Sequence, residues 1–209
     1  MIKKREMVDG AAAIARGALD AGCNYYAGYP ITPASGILTH MLRELPKVGG
    51  IGFQGEDEIS SLGHCIGAAM TGATVFTATS GPGLSLYSEN LGLAIMMEVP
   101  IVIAISQRLG PSTGAATASA QGDIQFMRWG TTGGYPMIVL APTNISECYH
   151  LTKRAFQLAK RFRTPVFLAT DKDTVMTTES VSVNDMKNAP DWPKIPNGGV
   201  GKELDPYQI

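Results

Sequence analysis

Hydrophobic positions along the chain fall into two alternating textures. Short, nearly continuous apolar runs at residues 24–27, 51–54, 74–78, 101–106, 137–140 and 166–169 predict β-strands. Between them, apolar residues recur at helical spacing over 7–21, 33–45, 57–71, 83–97 and 145–162, which predicts helices. The last is the most strongly marked. Asn144 and Glu147 make a capping pair, and Ile145, Cys148, Thr152, Ala155, Phe156 and Ala159 form one stripe. Lys160, Arg161 and Arg163 suit the negative end of its dipole. The run Ile101–Ile105 is apolar on both faces, as a strand covered by helices from both sides must be. The β-α-β-α order therefore predicts an α/β fold: a doubly wound, mostly parallel sheet of about six strands with helices on both faces. From about residue 180 the period breaks up. Pro190, Pro193, Pro196, Gly198, Gly199 and Gly201 read as a tail or linker, so the expected division is a domain over 1–180 and a tail over 181–209.

Composition narrows the class. With 44% hydrophobic and 17% charged residues, the chain has ample apolar surface to bury. A net charge of −1 gives no electrostatic reason to expect nucleic acid or an anionic membrane as partner. Cys23, Cys65 and Cys148 are scattered and odd in number, which predicts neither a disulfide framework nor a metal or iron–sulfur site in this chain. The amino-terminal residues turn amphipathic without an apolar signal core, and Glu98 and Pro100 interrupt the most apolar stretch. The expectation is a soluble cytoplasmic protein. His40, His64 and His150 are isolated, and no metal site is expected.

The chemistry-bearing clusters follow the predicted strands, at the carboxyl edge where open parallel sheets bind ligands. They are Gly28-Tyr29-Pro30-Ile31-Thr32-Pro33, Gln54-Gly55-Glu56-Asp57-Glu58, Thr79-Ser80-Gly81-Pro82-Gly83 and Gln107-Arg108-Leu109-Gly110-Pro111-Ser112-Thr113-Gly114. Any one of these is an ordinary Gly/Pro turn; their co-location at one edge points to a site. A helical wheel puts Ile59, Leu62, Cys65, Ile66 and Ala69 on one buried arc, with Glu58 roughly 50° from its centre. Glu56 and Asp57 point outward, as dipole partners do. An inward carboxylate is costly unless paired, and burial raises its pKa toward a range useful for proton exchange. Arg108, at the end of an apolar strand, has the fork geometry to grip a carboxylate, or else is a plain loop arginine. The phosphate-binding patterns G-x-G-x-x-G and G-x-x-x-x-G-K-[ST] are absent. Gly122-Asp123-Ile124 reads as a turn.

Together these motifs, with Gln121-Gly122-Asp123 and Thr164-Pro165-Val166-Phe167-Leu168, resemble the α subunits of 2-oxoacid:ferredoxin oxidoreductases over residues 8 to 180. The Ser-Gly-Pro-Gly and Gly-Pro-Ser-Thr-Gly forms look more like the 2-oxoglutarate and branched-chain types than the pyruvate type. The resemblance implies the pyrimidine-binding domain of a thiamine diphosphate enzyme. It implies that Glu58 bonds the aminopyrimidine ring, that Thr32 lies by the bound oxoacid, and that Arg108 lies near its carboxylate. Tyr29, Pro30, Ile31, Ser80 and Gly81 are implied cofactor contacts. The implied reaction is oxidative decarboxylation of a 2-oxoacid to an acyl-CoA. The cofactor would be shared with a β subunit holding the diphosphate, Mg²⁺ and an iron–sulfur cluster, with ferredoxin taking the electrons.

Three features depart from the family pattern. Gly10-Ala11-Ala12-Ala13 stands where the family often has Gly-Asn-Glu-Ala. The further carboxyl-terminal domain usual in these α subunits is not in the sequence, and neither is the metal–diphosphate motif. Activity is therefore expected only with partner chains. Two other readings stand beside this one: the pyrimidine-domain subunit of a non-oxidative thiamine diphosphate decarboxylase, and a degenerate binding module. Glu58, Thr32 and Arg108 weigh against the module, which has no use for an inward-facing carboxylate.

Overall fold

A computed structural model of the chain describes residues 5–182 together with residues 186, 188, 190 and 192. In chain order its elements are β1 (Arg5–Asp9), α1 (Gly10–Asp20), β2 (Tyr25–Gly28), α2 (Ser35–Glu44), a 3₁₀ turn (Leu45–Val48), β3 (Ile51–Gln54), α3 (Glu58–Met70) and β4 (Val75–Thr79). There follow α4 (Pro82–Leu86), α5 (Ser88–Met96), β5 (Ile101–Gln107), α6 (Asp123–Trp129), β6 (Ile138–Leu140), α7 (Ile145–Phe162), β7 (Val166–Asp171), α8 (Lys172–Met176) and β8 (Thr178–Ser182). Six strands form one sheet in the order β3-β2-β4-β5-β7-β6, and every pairing in it is parallel.

The alternation of side chains along each strand divides the core in two. Tyr26, Phe76, Ala78, Val102, Ala104, Val166 and Leu168 face α1, α2 and α7. Ala27, Val75, Ile101, Ile103, Ile105 and Phe167 face α3, α4, α5 and α6. All of β5 is buried because helices cover both of its faces. From β2 the chain winds outward to β3, then crosses back over β2 to β4. The β2/β4 junction is thus the switch point at which a parallel sheet opens a crevice beyond its strand ends.

Several elements differ from the sequence expectation. The helix expected over 7–21 begins at Gly10, because the Asp9 side chain accepts from Ala12 N at 2.7 Å and caps it there. Residues ahead of the cap form β1, which pairs antiparallel with β8 in a separate two-stranded sheet. The single helix expected over 83–97 is split at Tyr87, whose N–H bonds back three residues to Leu84 O and whose buried hydroxyl lies 3.0 Å from Thr77 Oγ1. Gly122-Asp123-Ile124 is not a free turn but the start of α6. The cap of α7 forms as expected, with Asn144 accepting from Glu147 N at 2.9 Å, although the Glu147 carboxylate turns to Thr143 N and Oγ1. The tail expected over 181–209 falls almost wholly outside the described residues. β8 runs through Ser182, and Met186 and Trp192 pack onto the core facing α1 and α7. Among the described residues no helix is long and apolar enough to cross a membrane.

Candidate active site

All four chemistry-bearing clusters lie at the carboxyl edge of the sheet. β2 ends into Gly28–Pro33, where Tyr29, Pro30 and Thr32 are exposed and Ile31 packs on the α1/α2/α7 core. The end of β3 is tied to this segment by Gly55 N–H donating to Gly28 O at 3.0 Å.

Glu58 is the first residue of α3. Asp57 caps that helix by accepting from Ser60 N at 2.7 Å, while Ser60 Oγ accepts from Asp57 N at 3.3 Å. This reciprocal cap fixes the angle at which the helix enters, and it turns Glu58 inward to 6% exposure. Glu56 and Asp57 are exposed. The Glu58 carboxyl has no side-chain hydrogen-bond or ion-pair partner among the described residues. Burial pushes it above the usual carboxylate range. The helix N–H of its own residue pulls it down, the Asp57 charge raises it, and Arg108 lowers it. Across from it stands Gly83: a Cβ there would sit 2.6 Å from Glu58 Oε1 and 2.0 Å from Thr79 Oγ1. Only glycine lets α4 approach the carboxylate this closely.

Arg108 is buried despite its charge. Its Nη1 donates to Thr32 O at 2.6 Å and its Nη2 to Thr113 O at 2.7 Å. The guanidinium therefore ties the loop after β2 to the loop after β5. Its stem lies over Gly81, whose φ of 38° suits a residue without Cβ. Asp123, at the start of α6, is half-buried beside the backbone N–H groups of Arg108 and Gly81.

Six side-chain polar atoms along this edge are buried without a hydrogen-bond partner: Tyr26 OH, Thr79 Oγ1, Ser80 Oγ, Gln107 Oε1, Arg108 Nε and Asp123 Oδ2. Such atoms cost about 1–3 kcal/mol each unless water or a ligand meets them. A row of unmet donors and acceptors beside an inward carboxylate and a glycine cradle suits a flat, polar heteroaromatic ring. The residues present thus fit thiamine diphosphate, whose aminopyrimidine offers both donors and acceptors.

Of the site residues read from sequence, the structure brings Glu58, Ser80, Gly81 and Arg108 together, with Thr32 joined through its backbone oxygen. Tyr29 and Pro30 stand at the rim. Thr79, Gly83, Gln107 and Asp123 were not singled out, although each lies in one of the quoted motifs. His64 lies on the surface, with its ring 4.6 Å from Phe53. His40 pairs with Asp9 at 3.7 Å, remote in role from this edge. The three cysteines are buried and free, and burial pushes Cys65 and Cys148 to about 12, too high for thiolate chemistry. Among the described residues no group of three or more His, Cys, Asp or Glu side chains is placed to hold a metal ion. A shallow groove of about 740 Å³ runs beside α3 at the amino ends of β2 and β3, but no acidic residue lines it. The motif clusters and the unmet polar atoms lie at the opposite edge.

Fold and site together define a thiamine diphosphate domain, and the chain belongs to the family described as pyruvate flavodoxin/ferredoxin oxidoreductase, thiamine diP-bdg, whose model matches residues 16–196. It is 49% identical over 178 residues to the 2-oxoglutarate synthase subunit KorA of Archaeoglobus fulgidus, covering 85% of this chain and 51% of that one. With KorA of Methanocaldococcus jannaschii it shares 48% identity over 182 residues, covering 87% and 50%. The ketoisovalerate oxidoreductase subunit VorB of Methanothermobacter thermautotrophicus is 43% identical over 167 residues, covering 79% and 47%. Among solved structures, the 2-oxoglutarate:ferredoxin oxidoreductase from Magnetococcus marinus, with 2-oxoglutarate, coenzyme A and succinyl-CoA bound, matches at a TM-score of 0.84 and 37% identity. That match covers 86% of this chain and 32% of the other. The chain spans about half the length of the curated relatives it matches first.

Proposed function

We propose that this chain supplies the pyrimidine side of the active site in a cytoplasmic 2-oxoacid:ferredoxin oxidoreductase that converts a 2-oxoacid, 2-oxoglutarate first among candidates, to its acyl-CoA. The observation that carries this reading is Glu58, an inward carboxylate held against Gly83 at the switch point of the sheet. When bound, thiamine diphosphate supplies the carbanion chemistry that no side chain can. Glu58 would hold a proton at the aminopyrimidine, and burial, which raises its pKa, favours the protonated form that does so. Tyr29, Pro30, Ile31, Ser80 and Gly81 would wall the ring. Thr32 would meet the oxoacid. With one N–H of each Nη of Arg108 on a backbone carbonyl, its buried Nε–H, the second N–H of each Nη and its charge remain for a substrate carboxylate. The diphosphate, Mg²⁺ and iron–sulfur cluster would be held by a β subunit, with ferredoxin as electron acceptor.

The test is oxoacid-dependent viologen reduction by the chain copurified with its native partners, with CoA and Mg²⁺–thiamine diphosphate supplied. CoA-dependent activity peaking on one oxoacid is expected, and the Glu58→Gln complex should assemble but turn over about 10²–10⁴-fold more slowly. Release of CO₂ without viologen reduction would instead identify a non-oxidative decarboxylase. Neither signal, in a complex that binds no thiamine diphosphate, would reduce the chain to a binding module.

A further inference from the structure

The segment between β5 and α6, residues 109–122, begins at the carboxyl edge of the sheet and carries Thr113, one of the groups that hold Arg108. It closes on itself at a neck. Leu109 N–H donates to Ala118 O at 2.8 Å, and Ala115 N–H donates to Leu109 O at 2.9 Å. Thr113 is flanked by Ser112 and Gly114, both left-handed, with φ of 56° and 55°. Between them Thr113 O accepts from Arg108 Nη2 at 2.7 Å. A non-glycine residue such as Ser112 keeps that strained backbone only where its surroundings hold it.

The hold comes from just past the neck. Ser119 Oγ donates to Asp173 Oδ2 at 2.6 Å, while Asp173 Oδ1 pairs with Lys172 at 2.8 Å. Asp173 itself has a firm base in α8, whose start is capped by Asp171 accepting from Thr174 N at 2.7 Å. Asp171 is registered opposite Gln107 across β5 and β7. The segment is therefore rooted at the end of one strand and fastened beside the end of its neighbour. The route from Ser119 to Arg108 is short: Ser119 follows Ala118, Ala118 O accepts from Leu109 N–H, and Leu109 follows Arg108.

We propose that Ser119 and Asp173 form a latch that positions Arg108: by fastening the neck they keep Thr113 O on the guanidinium, and so set the direction in which its remaining N–H groups meet a substrate carboxylate. The kinetic consequence rests on the function proposed above, but the latch itself is a property of this chain alone. Both residues are exposed and stand apart from the buried row of unmet polar atoms, so they act through Arg108 and not on the ligand.

The test uses the complex copurified with its native partners. In Ser119→Ala the KM for the oxoacid should rise about 3- to 10-fold, the factor one lost hydrogen bond carries. Turnover should stay within about twofold of wild type, and the KM for CoA should not change. Ser119→Thr keeps a hydroxyl and should restore the KM for the oxoacid. Asp173→Ala should match Ser119→Ala, and the double variant should be no worse than either alone, as expected of residues that act only through each other. Hydrogen–deuterium exchange in peptides spanning residues 109–122 should be faster in Ser119→Ala. Unchanged exchange removes the latch. Faster exchange with a wild-type KM makes it a purely structural contact. Additive KM effects in the double variant, or equal rises for oxoacid and CoA, overturn the positioning of Arg108. A wild-type complex that reduces no viologen defeats the functional reading and the positioning with it, while exchange still decides whether the latch holds the segment.

Discussion

Glu58 is a carboxylate that the fold holds at a disadvantage. Burial raises its pKa above the unfolded value, so between those two values the folded state binds more protons than the unfolded one. Stability contributed at this position is therefore lost as pH rises through that window. Glu58→Gln removes the charge, and the variant chain without ligand should melt at a higher temperature than wild type at pH 7–8. The gap should close at about pH 4, where the wild-type carboxyl is protonated in both states. Equal melting temperatures at both pH values would show a solvated carboxylate. This inward position was legible in sequence, because Glu58 falls within the arc of Ile59, Leu62, Cys65, Ile66 and Ala69, although Ile59 itself is exposed. Asp123 was not. A Gly-Asp pair after a loop has the same local signature whether it makes a turn or starts a helix, and the seven residues of α6 are too few to show a period. Thr79 was hidden for another reason: it ends a wholly buried strand, and only the three-dimensional approach of Gly83 gives its hydroxyl a neighbour.

At the scale of elements, α3 and α4 form the jaws of the site, and each depends on one small feature. The reciprocal Asp57–Ser60 cap sets the start of α3. Asp57→Ala should cost about 1 kcal/mol in chemical denaturation. It should also weaken thiamine diphosphate binding by the complex, since the cap it removes sets the helix start at Glu58. Gly83 sets the approach of α4. In Gly83→Ala the new methyl group meets Thr79 Oγ1 and Glu58 Oε1, and relieving that overlap costs about 1–3 kcal/mol. Thiamine diphosphate affinity, measured by calorimetry on the complex, should drop by about 10- to 100-fold. Gly67 offers the opposite case on α3. Nothing lies within 4 Å of a Cβ there, and Gly67→Ala should stabilise the chain by about 0.5–1 kcal/mol. If both substitutions act alike, the cradle reading of Gly83 is wrong. The helices were readable from their apolar stripes, but the break at Tyr87 was not. It depends on a hydrogen bond to Thr77, a residue of the preceding strand that no local pattern reveals.

The architecture of the whole molecule was largely written in the alternation of runs and stripes, because a parallel sheet needs helical crossovers and helices need an apolar stripe to cover it. Strand order was beyond reach, and so was the second small sheet. Strands β1 and β8 meet across 175 positions of chain, where Arg5 Nε donates to Ser180 Oγ at 2.9 Å, and no window of sequence contains both. That clasp has a consequence for how the domain is joined to other polypeptide. With Arg5 registered opposite Ser182, the path from β1 to β8 returns almost to its starting point and is nearly a closed ring. A ring can be opened elsewhere. A circular permutant that joins Ser182 to Arg5 through a short Gly/Ser linker, with new ends between the exposed Gly133 and Gly134, should keep the far-ultraviolet spectrum and melting cooperativity of the same residues in native order. The loop it cuts lies away from Glu58, Arg108 and Thr32, so the carboxyl edge of the sheet is left whole. Evolution has the same freedom: through so narrow a doorway, this domain can be set at the head of a longer protein or spliced into the middle of one without redrawing its interior.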